Sequence, residues 1–269
     1  MKLIYNILLL TLVTVFLSCN TAQEASAVTH GTNTKSTTYA VNKVMTGKVR
    51  VPDNTTLVFS GSGMFKNATI TGKNLKIVAQ GSGTIFSNCD FSQATFASSQ
   101  LYATQFGLKS DMKVRSYNYN FKGYKVKTNE RYGTDNTNAL LMLAQFLSNS
   151  NGITLTFNGD FYSSSRTMFV NINNAQNLTL TGPGSLIMGL RLVDCTACSV
   201  RDMKFVGFHT VHDFPPIYSS KPVAVNGVNY TTGNTYNCSA DGLASCGLSE
   251  DAVKIIATKA NSNINRNFK

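Results

Sequence analysis

Apolar and polar residues alternate along this chain in short runs that end in Gly, Asn or Ser, and the runs repeat. Thr56-Leu57-Val58-Phe59 leads into Ser60-Gly61-Ser62-Gly63, and Leu75-Lys76-Ile77-Val78 leads into Gln80-Gly81-Ser82-Gly83. The phrase returns as Asn177-Leu178-Thr179-Leu180-Thr181-Gly182 and as Cys198-Ser199-Val200-Arg201-Asp202, with an echo at 263–268. Aligning the phrases sets Leu57 against Leu75, 18 positions on, and Leu178 against Val200, 22 positions on. Alternation sends one set of side chains inward and the other outward. Gly and Asn accept the left-handed backbone that sharp corners require. A period of about 20 is too short for a strand–helix–strand crossover and suits one rung of a parallel β-helix. Leu, Ile, Val, Phe and Met then stack inside, and the recurrent Asn residues form ladders from rung to rung. A β-sandwich would not repeat one phrase, and the regular leucine–asparagine signature of leucine-rich repeats is missing.

One segment has a different period. In 132–147, Leu140, Leu143, Ala144 and Leu147 fall on one face at helical spacing, and Asp135 or Thr134 can cap the N-terminus. The helix is expected to cover the open end of the stack, where rung interior and strand edges would otherwise face water. The run YGTDNTNALLMLAQFLSNSNGITLTFNGDFY resembles the opening of the pectate-lyase-like right-handed β-helix superfamily. Thr134, Asp135, Thr137, Ala139 and Leu140 carry the match, and Asn136 stands where a second Asp is common. The rungs at 46–106 resemble a leader found before this opening in proteins of the Bacteroidetes type. The resemblance spans 46–269 and implies an all-β, right-handed parallel β-helix with a short capping helix. It speaks to fold more than activity, since the scaffold hosts lyases, hydrolases, tailspikes and adhesins.

The N-terminus gives an address. Lys2 precedes an apolar run over 3–17, too short to span a bilayer and suited to a secretory signal. Two exits follow: Ala25-Ser26-Ala27 for ordinary cleavage, and Phe16-Leu17-Ser18-Cys19, which resembles a bacterial lipobox and would leave Cys19 lipidated. The favoured reading is an exported protein held in the cell envelope or outer membrane through Cys19. The parts are then a signal at 1–18, a polar tether at 19–45, leader rungs at 46–106, a basic linker at 107–131 and the β-helix from 132 to 269. Residues 262–269 match half a rung with no cover, which predicts that the stack and any full active site continue beyond Lys269.

Composition narrows the chemistry. Only 14% of the 269 residues are charged and Trp is absent, which excludes a large helical bundle, while 42% hydrophobic residues exclude disorder for most of the chain. Lys and Arg number 24 against 13 Asp and Glu, a net charge of +11. The basic stretch at 109–127 interleaves Tyr117, Tyr119, Phe121 and Tyr124 with cations. Such a pattern can bind nucleic acid, but export favours an acidic polysaccharide, with cations facing uronate or sulfate and Tyr stacking on sugar rings. The plainer reading is a solvated linker. Cys238 and Cys246 flank a Gly-containing loop and can pair in an oxidising compartment. Cys195-x-x-Cys198, without a second pair, reads as two small residues at a turn rather than a zinc site. No metal is assigned, and no cofactor is identified.

Catalytic patterns of the superfamily are sparse. Ala240-Asp241-Gly242 is similar to the first polygalacturonase motif and Glu250-Asp251 to the second, but they lie too close together for one rung. No Asp cluster suits Ca²⁺. The densest polar stretch is 205–216, where His209, His212 and Asp213 gather ahead of Pro215-Pro216. A His beside a carboxylate can act as general base or hold substrate. The expected site is therefore His212, Asp213, Glu250, Asp251 and Lys254 in catalysis, with Arg201, His209 and Tyr218 on the substrate, and with 209–213 and 250–254 lining one groove. The function expected is a polysaccharide lyase or glycoside hydrolase acting on an acidic polysaccharide. The alternatives are a non-catalytic glycan binder or adhesin, and a phage-derived tailspike-like protein.

Overall fold

The computed structural model describes residues 23–24, 37–121, 123–165, 170–186, 189–206, 209–212, 228–230, 239–241, 244–246 and 253–256. Most of its strands pair in parallel with a strand of a neighbouring turn. On one sheet Thr37–Val41, Thr55–Phe59 and the end of Met64–Ala79 stack in order. The same sheet face continues with Gln100–Tyr102, Thr154–Thr156, Thr179–Thr181, Ser199–Arg201 and Ser239–Asp241. A second sheet stacks Ser185–Leu186, Lys204–Val206 and Ala244–Cys246. A third stacks Val170–Asn173, Leu190–Val193, Val253–Ile256 and Val228–Tyr230. The chain is thus an all-β parallel β-helix of about eight turns with a single α-helix among the described residues.

The alternation explains the interior. Leu101, Leu155, Leu180 and Val200 occupy one register column and are at most 2% exposed, while their neighbours in sequence face out. Structural register also corrects the repeat lengths. Leu57 pairs with Ile77 and Leu180 with Val200, both 20 positions apart, rather than the 18 and 22 that the phrases suggest. A two-residue slip keeps every side chain on its face, so the hydrophobic pattern alone leaves that choice open.

Corners stack as well. Ser98, Gly152, Asn177 and Ala197 follow the paired residues Ala97, Asn151, Gln176 and Thr196, and all have positive φ, from 41° to 74°. The expected Asn ladders are present: Asn74 donates to Asn54 (2.7 Å), Asn88 to Asn67 (2.8 Å) and Asn177 to Asn151 (2.8 Å). The thiols of Cys89, Cys195 and Cys198 are buried and donate to rung carbonyls. Burial raises the Cys89 pKa against opposing backbone hydrogen bonds.

The helix Thr137–Leu147 forms where the spacing places it, but it does not close an end of the stack. It lies between strands Asp90–Ala97 and Val170–Asn173, in the place of a rung strand. A helix satisfies its own backbone, so it leaves adjoining strand edges without a ladder. Side chains take over: Gln145 Oε1 accepts from Phe91 N–H (2.8 Å), and Ser148 Oγ accepts from Asn173 N–H (3.0 Å). Phe146, fully buried, stacks on Phe96 at 4.0 Å and meets Phe86, Phe91 and Phe106. Asp135 accepts from Thr137 N–H (3.0 Å) at the helix start. Burial would raise its pKa, but hydrogen bonds from Ser164 and Thr137 prevail and hold the carboxyl well below the usual range.

Two segments differ from their sequence readings. The stretch 107–131, read as a linker, contains most of an antiparallel hairpin of Lys113–Phe121 with Tyr124–Tyr132, turned at Gly123 (φ 86°). His209–His212 adds to it as a third antiparallel strand. The stack also includes Thr37–Val41, ahead of residue 46, and Gln23–Glu24 of the tether pairs with Val49–Arg50. No described helix is long and apolar enough to cross a membrane. The signal, Cys19, Cys238 and residues 262–269 lie outside the described residues.

Candidate functional site: a strip along one sheet

The first sheet contains a seam. Lys76 pairs with Ala97, and there the ladder between these turns stops. Beyond a corner at Ser98 (φ 41°), residues 77–79 and Gln100–Tyr102 share no ladder pairing. Ile77 N–H donates instead to Ser99 Oγ (2.8 Å), and that hydroxyl, 3% exposed, donates to Ala97 O (2.8 Å). Gln105, also buried, bridges the two lips. Its Oε1 accepts from Tyr102 N–H (3.0 Å) and its Nε2 donates to Gly81 O (2.8 Å). Thr104 Oγ1 donates to Ser82 O (2.7 Å), a further brace. Three of these bonds, from Ile77, Thr104 and Gln105, join residues of different turns, so the opening is held rather than loose.

The opening is a groove of about 560 Å³. Lys76, Val78, Gln100, Tyr102, Thr154 and Thr156 line it. Val78 (42%) and Tyr102 (41%) are more exposed than large apolar side chains usually are. A half-exposed phenol ring offers a flat apolar face with a polar tip. Around it stand an amide, three hydroxyls (Ser98 with the two Thr) and an ammonium, and no carboxylate or imidazole lines the groove.

Register extends the groove into a strip. Tyr102, Thr156, Thr181 and Arg201 are successive partners in one outward row, with Asp241 at the next register position. Gln100, Thr154, Thr179 and Ser199 form the row beside it. Ser199 Oγ bonds Thr179 Oγ1 at 3.2 Å. Strands are about 4.8 Å apart, so Arg201 stands about 14 Å from Tyr102 along the stack. Arg201, expected to bind substrate, is thus in line with an aromatic platform that the sequence reading did not select. The signal was present: Tyr102 occupies an outward position of an alternating run.

The remaining expected residues fall elsewhere. His209 pairs in register with Glu130 and His212 with Lys127, on the hairpin sheet. Glu130 is engaged by Arg115 (Nε to Oε2, 2.6 Å), whose guanidinium lies 5.7 Å from the centre of the Tyr132 ring. Lys254 pairs with Arg191 on the third sheet. No strand pairing joins His209–His212 to Val253–Ile256. Asp213, Tyr218, Glu250 and Asp251 lie outside the described residues. Among the described residues no group of His, Cys, Asp and Glu is placed to hold a metal ion. No known protein family, curated protein or solved structure matches the chain.

Proposed function

We propose that this protein is an exported β-helix, anchored in the cell envelope through Cys19, that binds an acidic polysaccharide along the strip from Tyr102 to Arg201. The observation that carries the reading is the row itself: an exposed Tyr, two Thr hydroxyls and an Arg in consecutive register. A sugar ring packs its C–H face on the phenol, the hydroxyls and Gln100 bond ring substituents, and Arg201 meets a uronate carboxylate. The braced seam favours this role, since a site formed before binding loses less entropy on occupation. The resemblance of 46–269 to pectate-lyase-like proteins agrees with a glycan ligand.

Binding without turnover fits the strip best, because no carboxylate or imidazole lines the groove around Tyr102 and the one carboxylate of the row, Asp241, comes a register position beyond Arg201. Catalysis as a lyase or hydrolase is the second reading. It draws on the His209–His212 strand, which sets His209 in register with Glu130.

Affinity electrophoresis in polygalacturonate tests the proposal. Tyr102→Ala should weaken retardation by about ten-fold in apparent Kd, and Arg201→Gln should do so for the charged polymer but not its methyl ester. Wild-type mobility in both variants would refute the site. Release of unsaturated products or reducing ends by the parent protein would favour the catalytic reading.

A further inference from the structure

We infer that main chain, as well as side chains, reads the ligand of the seam groove. The unladdered backbone of its two lips takes sugar hydroxyls, which selects an acidic polysaccharide whose ring hydroxyls are free rather than acetylated. The inference rests on the glycan-binding reading and names the feature of the sugar that the groove selects.

Along a parallel strand, successive residues turn their N–H and C=O alternately to the rung before and the rung after. Single hydrogen bonds fix that phase on each lip. Ser60 N–H donates to Val41 O, the register partner of Phe59. Val58 and Ser60 therefore turn back to Thr37–Val41, and Leu57 and Phe59 turn on to the next rung. There Lys76 and Val78 complete the ladder, which leaves Ile77 and Ala79 turned to the seam. The bonds from Ile77 N–H to Ser99 Oγ and from Gln105 Nε2 to Gly81 O agree with that phase. On the other lip, Thr154 N–H donates to Ser99 O, so Leu101 serves the ladder to Thr154–Thr156. Gln100 and Tyr102 turn back to the seam, as the bond from Tyr102 N–H to Gln105 Oε1 requires.

The braces occupy the N–H groups of Ile77 and Tyr102 and the carbonyl of Gly81. Among the described residues no group pairs with the carbonyls of Ile77, Ala79 and Gln100, or with the N–H groups of Ala79 and Gln100. All three residues line the groove. Ile77 does so with its side chain buried inside the stack, so main chain is what it presents.

Such edges pair readily with any group of matching polarity. A ligand that satisfies both lips must donate to the carbonyls and accept from the N–H groups. A free hydroxyl does both, whereas a carboxylate or an acetylated hydroxyl only accepts. The seam therefore suits the hydroxyl edge of a sugar ring, and the carboxylate belongs farther along the strip at Arg201. An acetyl ester at a ring hydroxyl leaves a lip carbonyl facing another acceptor.

Affinity electrophoresis in polygalacturonate and in its O-acetylated form tests the selection. Acetylation should weaken retardation by about ten-fold in apparent Kd. Gln100→Ala changes a side chain and keeps the main chain, so it should preserve that difference. Amide hydrogen exchange reads the lips themselves. In the free protein Ala79 and Gln100 should exchange faster than Val78 and Leu101, whose amides are in ladders, and a short oligogalacturonate should slow both. Equal retardation by the two polymers, or loss of the difference in Gln100→Ala, would overturn the inference. The strip itself would still stand if Tyr102→Ala weakened binding. Exchange at Ala79 and Gln100 as slow as at Val78 and Leu101 without ligand, or unchanged by bound ligand, would also overturn it. No retardation in either polymer would sink this inference together with the glycan-binding reading.

Discussion

Replacing Asn136 by Asp changes one nitrogen to oxygen at the junction of three chain segments. Asn136 is 2% exposed. Its Oδ1 accepts from Lys109 N–H at 2.7 Å, and its Nδ2 faces the carbonyls of Lys109 (3.0 Å), Thr134 (3.2 Å) and Tyr162 (3.0 Å). The amide therefore ties the exit of one rung, the lead into the helix and the end of the next rung. A protonated Asp could donate to one of those carbonyls only, which costs about 1–3 kcal/mol in lost and unsatisfied bonds. An ionised Asp would put negative charge against all three. Its pKa in the folded state must therefore rise above the unfolded value of about 3.9. The folded state then holds the proton over a range where the unfolded state has lost it, so stability falls as pH rises. Each pH unit in that window adds about 1.4 kcal/mol to the cost until the folded carboxyl ionises, for a total of about 3–5 kcal/mol at pH 7. Urea unfolding followed by far-UV circular dichroism at pH 4 and pH 7 gives the comparison. Asn136→Asp should lower the midpoint at both, and by more at pH 7. Equal losses at the two pH values, or a larger loss in acid, would refute the reasoning.

Three further outcomes follow from the packing and the turns. Phe146→Ala removes the ring against which Phe86, Phe91, Phe96 and Phe106 pack, and should cost about 3–5 kcal/mol in the same unfolding assay. Gly184→Ala would bring a Cβ to 2.0 Å from Gly159 O, so the adjoining turns must part, and the variant should melt at lower temperature or fail to fold. The low pKa of Asp135 means that its hydrogen bonds stabilise the fold above the unfolded carboxylate range and are lost as pH falls through the folded value. The difference in melting temperature between parent and Asp135→Asn should accordingly shrink in strong acid, and a difference that grows there would contradict the assignment.

What was legible in the sequence was whatever depends on local alternation. The runs around Leu57, Leu180 and Val200 announced inward columns, and Asn177 announced a corner, because both follow from residues a few positions apart. The helix was equally plain from Leu140, Leu143, Ala144 and Leu147, all buried or nearly so. Its position within the stack was not, since that is set by Gln145 and Ser148 reaching strands 54 and 25 residues away. The seam was hidden for the same reason: Ser99 stands in for a rung partner of Ile77, 22 residues earlier, and nothing local marks that Ser as buried. The hairpin follows from the alternation across 113–132 around Gly123, yet the same run interleaves cations and aromatics as a ligand surface does, and nothing local separates the two. For the candidate site, Arg201 was identified by charge alone. Tyr102, Thr156 and Thr181 join it only once the register is known.

Amide chemical-shift mapping with an oligogalacturonate addresses the strip most directly. As the ligand is titrated, the backbone resonances of Gln100, Tyr102, Thr156, Thr181 and Arg201 should move together, and Tyr102→Ala should abolish those shifts. If the ligand binds while these five resonances stay fixed, or if none moves at saturating ligand, the strip is not the glycan site.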